Sequence, residues 1–139
     1  MRKTLTTEEY QSLAHFRQSL RRYLRFGEKA AHNANLKPHE DQLLLTIKGL
    51  TPNLRPRIAE LADRLQIQHH SAIELVNRLE KKSLVRRERG TNDRREVLIK
   101  LTIAGERIVA ELVALHFREI FFIGPELLKS LNRVLERDG

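Results

Sequence analysis

The most constraining stretch of the chain runs from Arg57 to Lys100. Apolar residues recur at helical spacing in Ile58-Ala59-Glu60-Leu61-Ala62-Asp63-Arg64-Leu65 and again from His69 to Lys82, with only Gln66-Ile67-Gln68 between. Two short helices joined by three residues have the spacing of a helix-turn-helix. Ala59 and Ala62 are small enough for close approach, and Ile67 can fill the gap between the helices. The second helix has a core stripe at Ala72, Leu75, Val76 and Leu79; its opposite face then carries His70, Glu74, Asn77, Arg78 and Lys81. Leu84 to Arg89 is too short for a stable helix, Gly90-Thr91-Asn92-Asp93 is a dense turn signal, and Val97, Ile99 and Leu101 alternate with positions expected to be more exposed. A β-hairpin with a basic tip follows.

The flanking segments read as long helices. Thr6 as N-cap and Glu9 at the third helical position form a capping box, with Leu5 placed to staple onto Tyr10. Leu13, Phe16, Leu20, Leu24 and Ala31 continue that helix to about Ala34. Pro38 suits the first turn of a second helix, whose buried side is expected at Leu43, Leu44, Leu45 and Ile47 before Gly49 and Pro52 break it; Pro56 opens a third. After the hairpin, Thr102 caps a helix from Ile103 to about Ile123, which Gly124-Pro125 is expected to end, starting a final helix from Glu126 to Arg137.

Charge is concentrated where the structure is most constrained. The 139 residues carry 26 Lys and Arg against 18 acids, a formal charge of +8, and residues 55–100 hold 12 of those basic residues against 7 acids. A local basic patch suits nucleic-acid phosphates, since each cation placed near them releases condensed counterions. Hydrophobic residues at 40% suffice for a core. The absence of cysteine excludes disulfides, thiol catalysis and cysteine-ligated zinc. No apolar run approaches membrane-spanning length and the N-terminus lacks a signal-peptide pattern, so a soluble, cytoplasmic protein without membrane contact is expected. His39-Glu40 begins like a zinc-protease motif, but Leu43 stands where the second histidine would be needed. With no Gly-rich phosphate loop or trusted ligand spacing either, neither an enzyme nor a bound metal or cofactor is expected.

Leu61-Ala62-Asp63-Arg64-Leu65, Leu75-Val76-Asn77-Arg78-Leu79-Glu80, Leu84-Val85-Arg86-Arg87, Asp93-Arg94-Arg95 and Leu101-Thr102-Ile103-Ala104-Gly105, in that order, resemble the MarR family of bacterial transcription regulators. The strongest element is Asp93-x-Arg95 leading into an alternating strand that ends in Leu-Thr-x-x-Gly. The resemblance implies a mainly α fold with a small β-hairpin wing, a winged helix-turn-helix with long N- and C-terminal dimerisation helices. A single domain of 1–139 is expected, with the DNA-binding lobe at 38–102 and dimerisation helices at 1–37 and 103–139. It also implies a homodimer, which Phe117, Ile120, Phe121, Phe122, Ile123, Leu127, Leu128, Leu131 and Leu135 support as more apolar surface than a small monomer needs.

On this reading the double-stranded DNA site is spread over both parts of the motif. His70, Ser71 and Glu74 are expected at base edges, with Gln68 and His69 near phosphate and Asn77 and Arg78 on the same face. His69 and His70 depart from the small polar residues commoner at this place in the family, which leaves the preferred bases open. In similar proteins the arginine at the place of Arg94 enters the minor groove. Asp93 is expected to brace Arg95 or Arg78, and Lys81, Lys82, Arg86 and Arg87 to supply sequence-blind phosphate contacts. The function expected is a sequence-specific regulator, a repressor in preference to an activator, bound to a pseudo-palindromic operator. Release by a small phenolic or other anionic effector is implied by the resemblance, with no residues assigned to it. A dimeric winged-helix module for protein or RNA contacts is the alternative, since fold alone does not assign function.

Overall fold

The computed structural model describes residues 4–136; Met1–Lys3 and Arg137, the expected end of the last helix, lie outside the described residues. In chain order the elements are α1 (Thr7–Asn33), α2 (Pro38–Gly49), α3 (Ile58–Leu65), α4 (His69–Lys81), β1 (Val85–Arg89), β2 (Val97–Leu101) and α5 (Ile103–Leu135). The described residues form two compact units, one of residues 31–113 and one of residues 4–30 with 114–136.

In the first unit, α3 and α4 meet through an abrupt turn. Gln66 ends α3 in the left-handed region at φ 57°, and its N–H reaches back to the Asp63 carbonyl at 3.1 Å while that of Ile67 reaches Ala62. Such a turn satisfies carbonyls that the helix end would leave unpaired. Ala72, Leu75, Val76 and Leu79 of α4 are buried as expected, together with Leu43, Leu44, Leu61, Ala62, Leu84, Val85 and Ile99. Each fully buried leucine contributes roughly 2 kcal/mol of transfer free energy.

Three apolar expectations need correction here. Leu45 is 42% exposed; the buried face of α2 is set by Glu40, Leu43, Leu44 and half-buried Ile47, and Leu45 lies about 150° round from its centre. Ala59 is exposed rather than lining the α3–α4 approach, because Ile58, Leu61, Ala62 and Leu65 occupy the inner face and Ala59 lies about 110° from its centre. Leu98, expected to face outward, is buried beside Ile99. The Ile99 N–H donates to the Pro56 carbonyl at 2.8 Å, so β2 lies between β1 and the segment before α3, with α2 and α3 also packed on it. With β1 and the Pro56 segment along its edges and α2 and α3 packed on it, β2 buries the neighbouring Leu98 and Ile99 together, and the period-two exposure of an isolated strand is lost.

The wing is an antiparallel hairpin paired from Val85↔Leu101 to Arg89↔Val97. Thr102 ties its base to α5: the Thr102 Oγ1 accepts from the Gly105 N–H at 3.0 Å and donates to the Ser83 carbonyl at 2.7 Å, while its own N–H reaches Leu84 O at 3.1 Å. A Cβ at Gly105 would lie 2.1 Å from the Leu84 carbonyl oxygen. The Leu-Thr-x-x-Gly run is therefore a cap plus a contact too close for any side chain.

In the other unit, the Thr6–Glu9 capping box forms in both directions, at 3.0 and 3.1 Å, although Leu5 and Tyr10 both stay largely exposed. His15 Nε2 lies 3.2 Å from Glu126 Oε1, and His116 faces Gly27, so α1 and the end of α5 run antiparallel. Their buried residues are unusual for a core: Ser12, Ser19 and Ser130 join Ala30 and Ile123. Ser12 and Ser130 hydroxyls are satisfied by carbonyls three residues back. Large apolar side chains instead point outward, including Leu13, Leu24, Phe117, Phe121, Phe122, Leu128 and Leu135.

The expected break at Gly124-Pro125 does not occur, and α5 is one helix with Pro125 inside it. Proline removes one N–H from the ladder and crowds the carbonyl four residues earlier. That loss is confined to one turn, and α5 continues beyond Pro125 to Leu135.

Candidate nucleic-acid interface

Gln68 caps α4 from extended backbone at φ −71° without a side-chain hydrogen bond, and no acid occupies the first turn. Gln68, His69, His70, Glu74, Asn77 and Lys81 are all exposed, and Ser71 is half-buried at the edge of the same surface. The continuous polar face expected from helical periodicity is therefore present, with Arg78 its one correction. Arg78 is half-buried and turned toward the fully buried Glu40, with its Nε 3.8 Å from Glu40 Oε2.

Glu40 acts as a hub. Its Oε1 accepts from the Lys37 N–H at 2.7 Å and from Lys82 Nζ at 3.1 Å, and the same ammonium donates to the Asn35 carbonyl at 2.9 Å. One carboxylate therefore closes the first turn of α2 and holds the C-terminal end of α4 against it. Buried carboxylates are stable only when paired in this way. Lys82, expected at phosphate, has its ammonium directed to Glu40 and Asn35.

The remaining cations of the patch are mostly committed as well. Arg87 crosses from β1 to α4, donating to Asn77 Oδ1 at 2.8 Å and pairing with Glu80. Arg86 pairs with Glu88, and its guanidinium holds the Glu88 carboxyl below the usual carboxylate range, with Lys100 adding to the effect. Of the two braces expected for Asp93, the structure forms the Arg95 one: Asp93 Oδ1 accepts from the Arg95 N–H at 3.0 Å and Nε at 3.3 Å. Among the described residues, Lys81 and Arg94 have no carboxylate within ion-pair distance and are exposed. Charge counting along the sequence misses this, since a basic run does not reveal which of its members the fold neutralises.

Arg94 stands in the loop that closes the hairpin. Arg89 Nη1 donates to the Arg94 carbonyl at 2.8 Å, and the Gly90 N–H and Glu96 carbonyl close the loop at 2.9 Å. A Cβ on Gly90 would meet Asp93 O at 2.6 Å, so this loop closes only around glycine. Arg89, Gly90, Thr91 and Arg94 border an open depression of about 350 Å³. Two guanidinium groups beside one concavity create positive potential there.

Sequence reasoning missed Arg55, which anchors the wing. Its guanidinium grips Glu96 at 2.8 to 3.0 Å, and Arg57 approaches the same carboxylate at 3.8 Å. The pairing joins residues 41 apart, and no local spacing announces it. No group of three or more His, Cys, Asp or Glu that could hold a metal occurs among the described residues.

A two-helix turn motif, a third helix packed beneath it and an arginine-tipped hairpin define a winged helix-turn-helix protein. Residues 45–97, which span α3, α4 and most of the wing, match the model of the MarR family. No curated protein sequence matches the chain. Solved structures with this fold include AbsC, a MarR family transcriptional regulator from Streptomyces coelicolor, at 22% identity and TM-score 0.76 over 97% of this chain and 94% of that one. Another is a mutant MarR from E. coli complexed with operator DNA, at 22% identity and TM-score 0.64 over 81% and 76%. A mutant MepR from S. aureus bound to an oligodeoxyribonucleotide has 18% identity and TM-score 0.66 over 95% and 97%.

Proposed function

We propose that the chain is a sequence-specific double-stranded DNA-binding transcriptional regulator acting as a homodimer. The observation that carries this reading is the uncovered polar face of α4 beside a wing tip that presents unpaired Arg94, both within or beside the family-matched segment. A recognition helix inserts its N-terminal residues into the major groove while a wing arginine favours the narrow minor groove. The homodimer is supported by the serine-rich contact between α1 and the end of α5, which leaves the phenylalanines and leucines of that unit exposed. Two-fold symmetry then calls for half-sites about 10 bp apart. Repression is the simpler mode, because a dimer lying across promoter DNA excludes polymerase without a further contact. A small anionic effector would release it by binding one separation of the two α4 helices more tightly than the other.

Selection of bound duplexes from a random DNA pool at near-physiological salt tests the reading, with an inverted repeat as the expected product. Weak, sequence-blind binding lost in moderate salt would replace it with a protein or RNA interaction module. On the selected duplex, Arg94→Ala is expected to weaken binding by about 100-fold, since each dimer loses two wing contacts. Fluorescence anisotropy measures this, and an unchanged affinity would remove the wing from the site.

The internal pairing makes a second, sharper expectation. Lys81→Gln should flatten the dependence of log affinity on log salt by about 2 per dimer, whereas Lys82→Gln should leave the slope unchanged because its ammonium already serves Glu40. Equal flattening by the two variants would show that Lys82 leaves Glu40 when DNA binds.

A further inference from the structure

We infer that Glu74 reads a cytosine in each half-site and so sets the sequence specificity of the helix; this rests on the DNA-binding reading above. A contrast among carboxylates carries the inference. Around the α4–β1 surface, Glu80 is paired with Arg87, Glu88 with Arg86, and Glu40 with Lys82 and Arg78. Glu74 is exposed in the second turn of α4, and among the described residues no cation lies within ion-pair distance of it. Arg78, one turn further along the helix and the natural partner at i+4, is instead turned to Glu40.

An uncompensated carboxylate on a surface that meets phosphates costs affinity wherever it faces an acceptor. It is tolerated only where it finds a donor. In the major groove cytosine presents only its N4 amino group, guanine presents the O6 and N7 acceptors, and thymine presents O4. Adenine offers its N6 amino group beside the N7 acceptor, a pair that suits an amide and sets a carboxylate against a lone pair. The charge at Glu74 therefore selects cytosine and rejects the other three bases by repulsion. His70 and Asn77, exposed one turn before and after on the same face, flank the contact.

The test is duplex selection with the full-length wild-type protein, Glu74→Gln and Glu74→Ala in parallel, with thermal melts confirming that these surface changes leave the fold intact. Wild type is expected to enrich one cytosine per half-site, and Glu74→Gln to enrich adenine in that column. Glu74→Ala should lose the preference there while keeping the rest of the motif, with roughly tenfold less discrimination against mismatched bases at that position. A wild-type motif that survives intact in Glu74→Ala overturns this assignment alone. Uniformly tighter binding of Glu74→Ala to every sequence also overturns it, leaving the carboxylate as a simple repulsive charge. Failure of wild type to enrich any motif overturns the DNA-binding reading and this one with it.

Discussion

Gly105→Ala is expected to lower the thermal unfolding midpoint by about 10 °C at fixed protein concentration, equivalent to about 3 kcal/mol. A methyl group at this position would lie 2.1 Å from the Leu84 carbonyl oxygen, far inside contact distance, and the obstacle is backbone rather than a side chain that could rotate away. Relief requires moving the first turn of α5 from Leu84. That would stretch the hydrogen bonds by which Thr102 joins Ser83, Leu84 and Gly105. The control is Gly124→Ala, whose added Cβ meets only Ile120 Cγ1 at 3.6 Å. With ordinary contact and a helical backbone, that variant is expected to be neutral or stabilised by up to about 1 kcal/mol. Circular dichroism melts of the pair decide the matter, and a Gly105→Ala midpoint equal to wild type would refute the close-contact account.

The second large effect concerns assembly. Phe121 and Phe122 are 78% and 82% exposed, and Phe117 stacks on Phe121 with ring centroids 6.3 Å apart. Rings left this open in a single chain are expected to be covered by a second copy. Under two-fold symmetry the double variant Phe121→Ser with Phe122→Ser removes four rings from the interface, at roughly 2 kcal/mol each. The dimer dissociation constant should rise by several orders of magnitude, and light scattering at micromolar concentration should report the mass of one chain. Affinity for a two-half-site duplex should fall by about 100-fold or more, because the second α4 no longer binds as a tethered partner. An unchanged dimer mass would place the interface elsewhere.

Features governed by near neighbours along the chain are legible in the sequence. The Thr6–Glu9 box, the Pro38 start of α2, the α4 stripe from Ala72 to Leu79 and the Arg95 brace on Asp93 all involve residues within a few turns of one another. Helical periodicity also identifies which side of α4 stays open. Sequence expectations fail where local signals meet longer contacts. Pro125 reads as a stop signal, yet α5 continues through it. Leu98 reads as an outward residue, yet it is buried in the unit where α2 and α3 pack on β2.

The site divides along the same line. The chain's own order of residues determined two short helices, their tight turn, an arginine-tipped hairpin and a helix face bearing Gln68, His70, Glu74 and Asn77, because helix and strand periods and turn chemistry are local properties. Only the tertiary structure decided which charges on that surface remain available. Glu40 takes Arg78 and Lys82, Glu96 takes Arg55, and Arg87 spans from the wing to Asn77 and Glu80. Coulomb attraction acts through space and depends on burial and distance, so two side chains that are 42 residues apart in sequence can neutralise each other as fully as immediate neighbours.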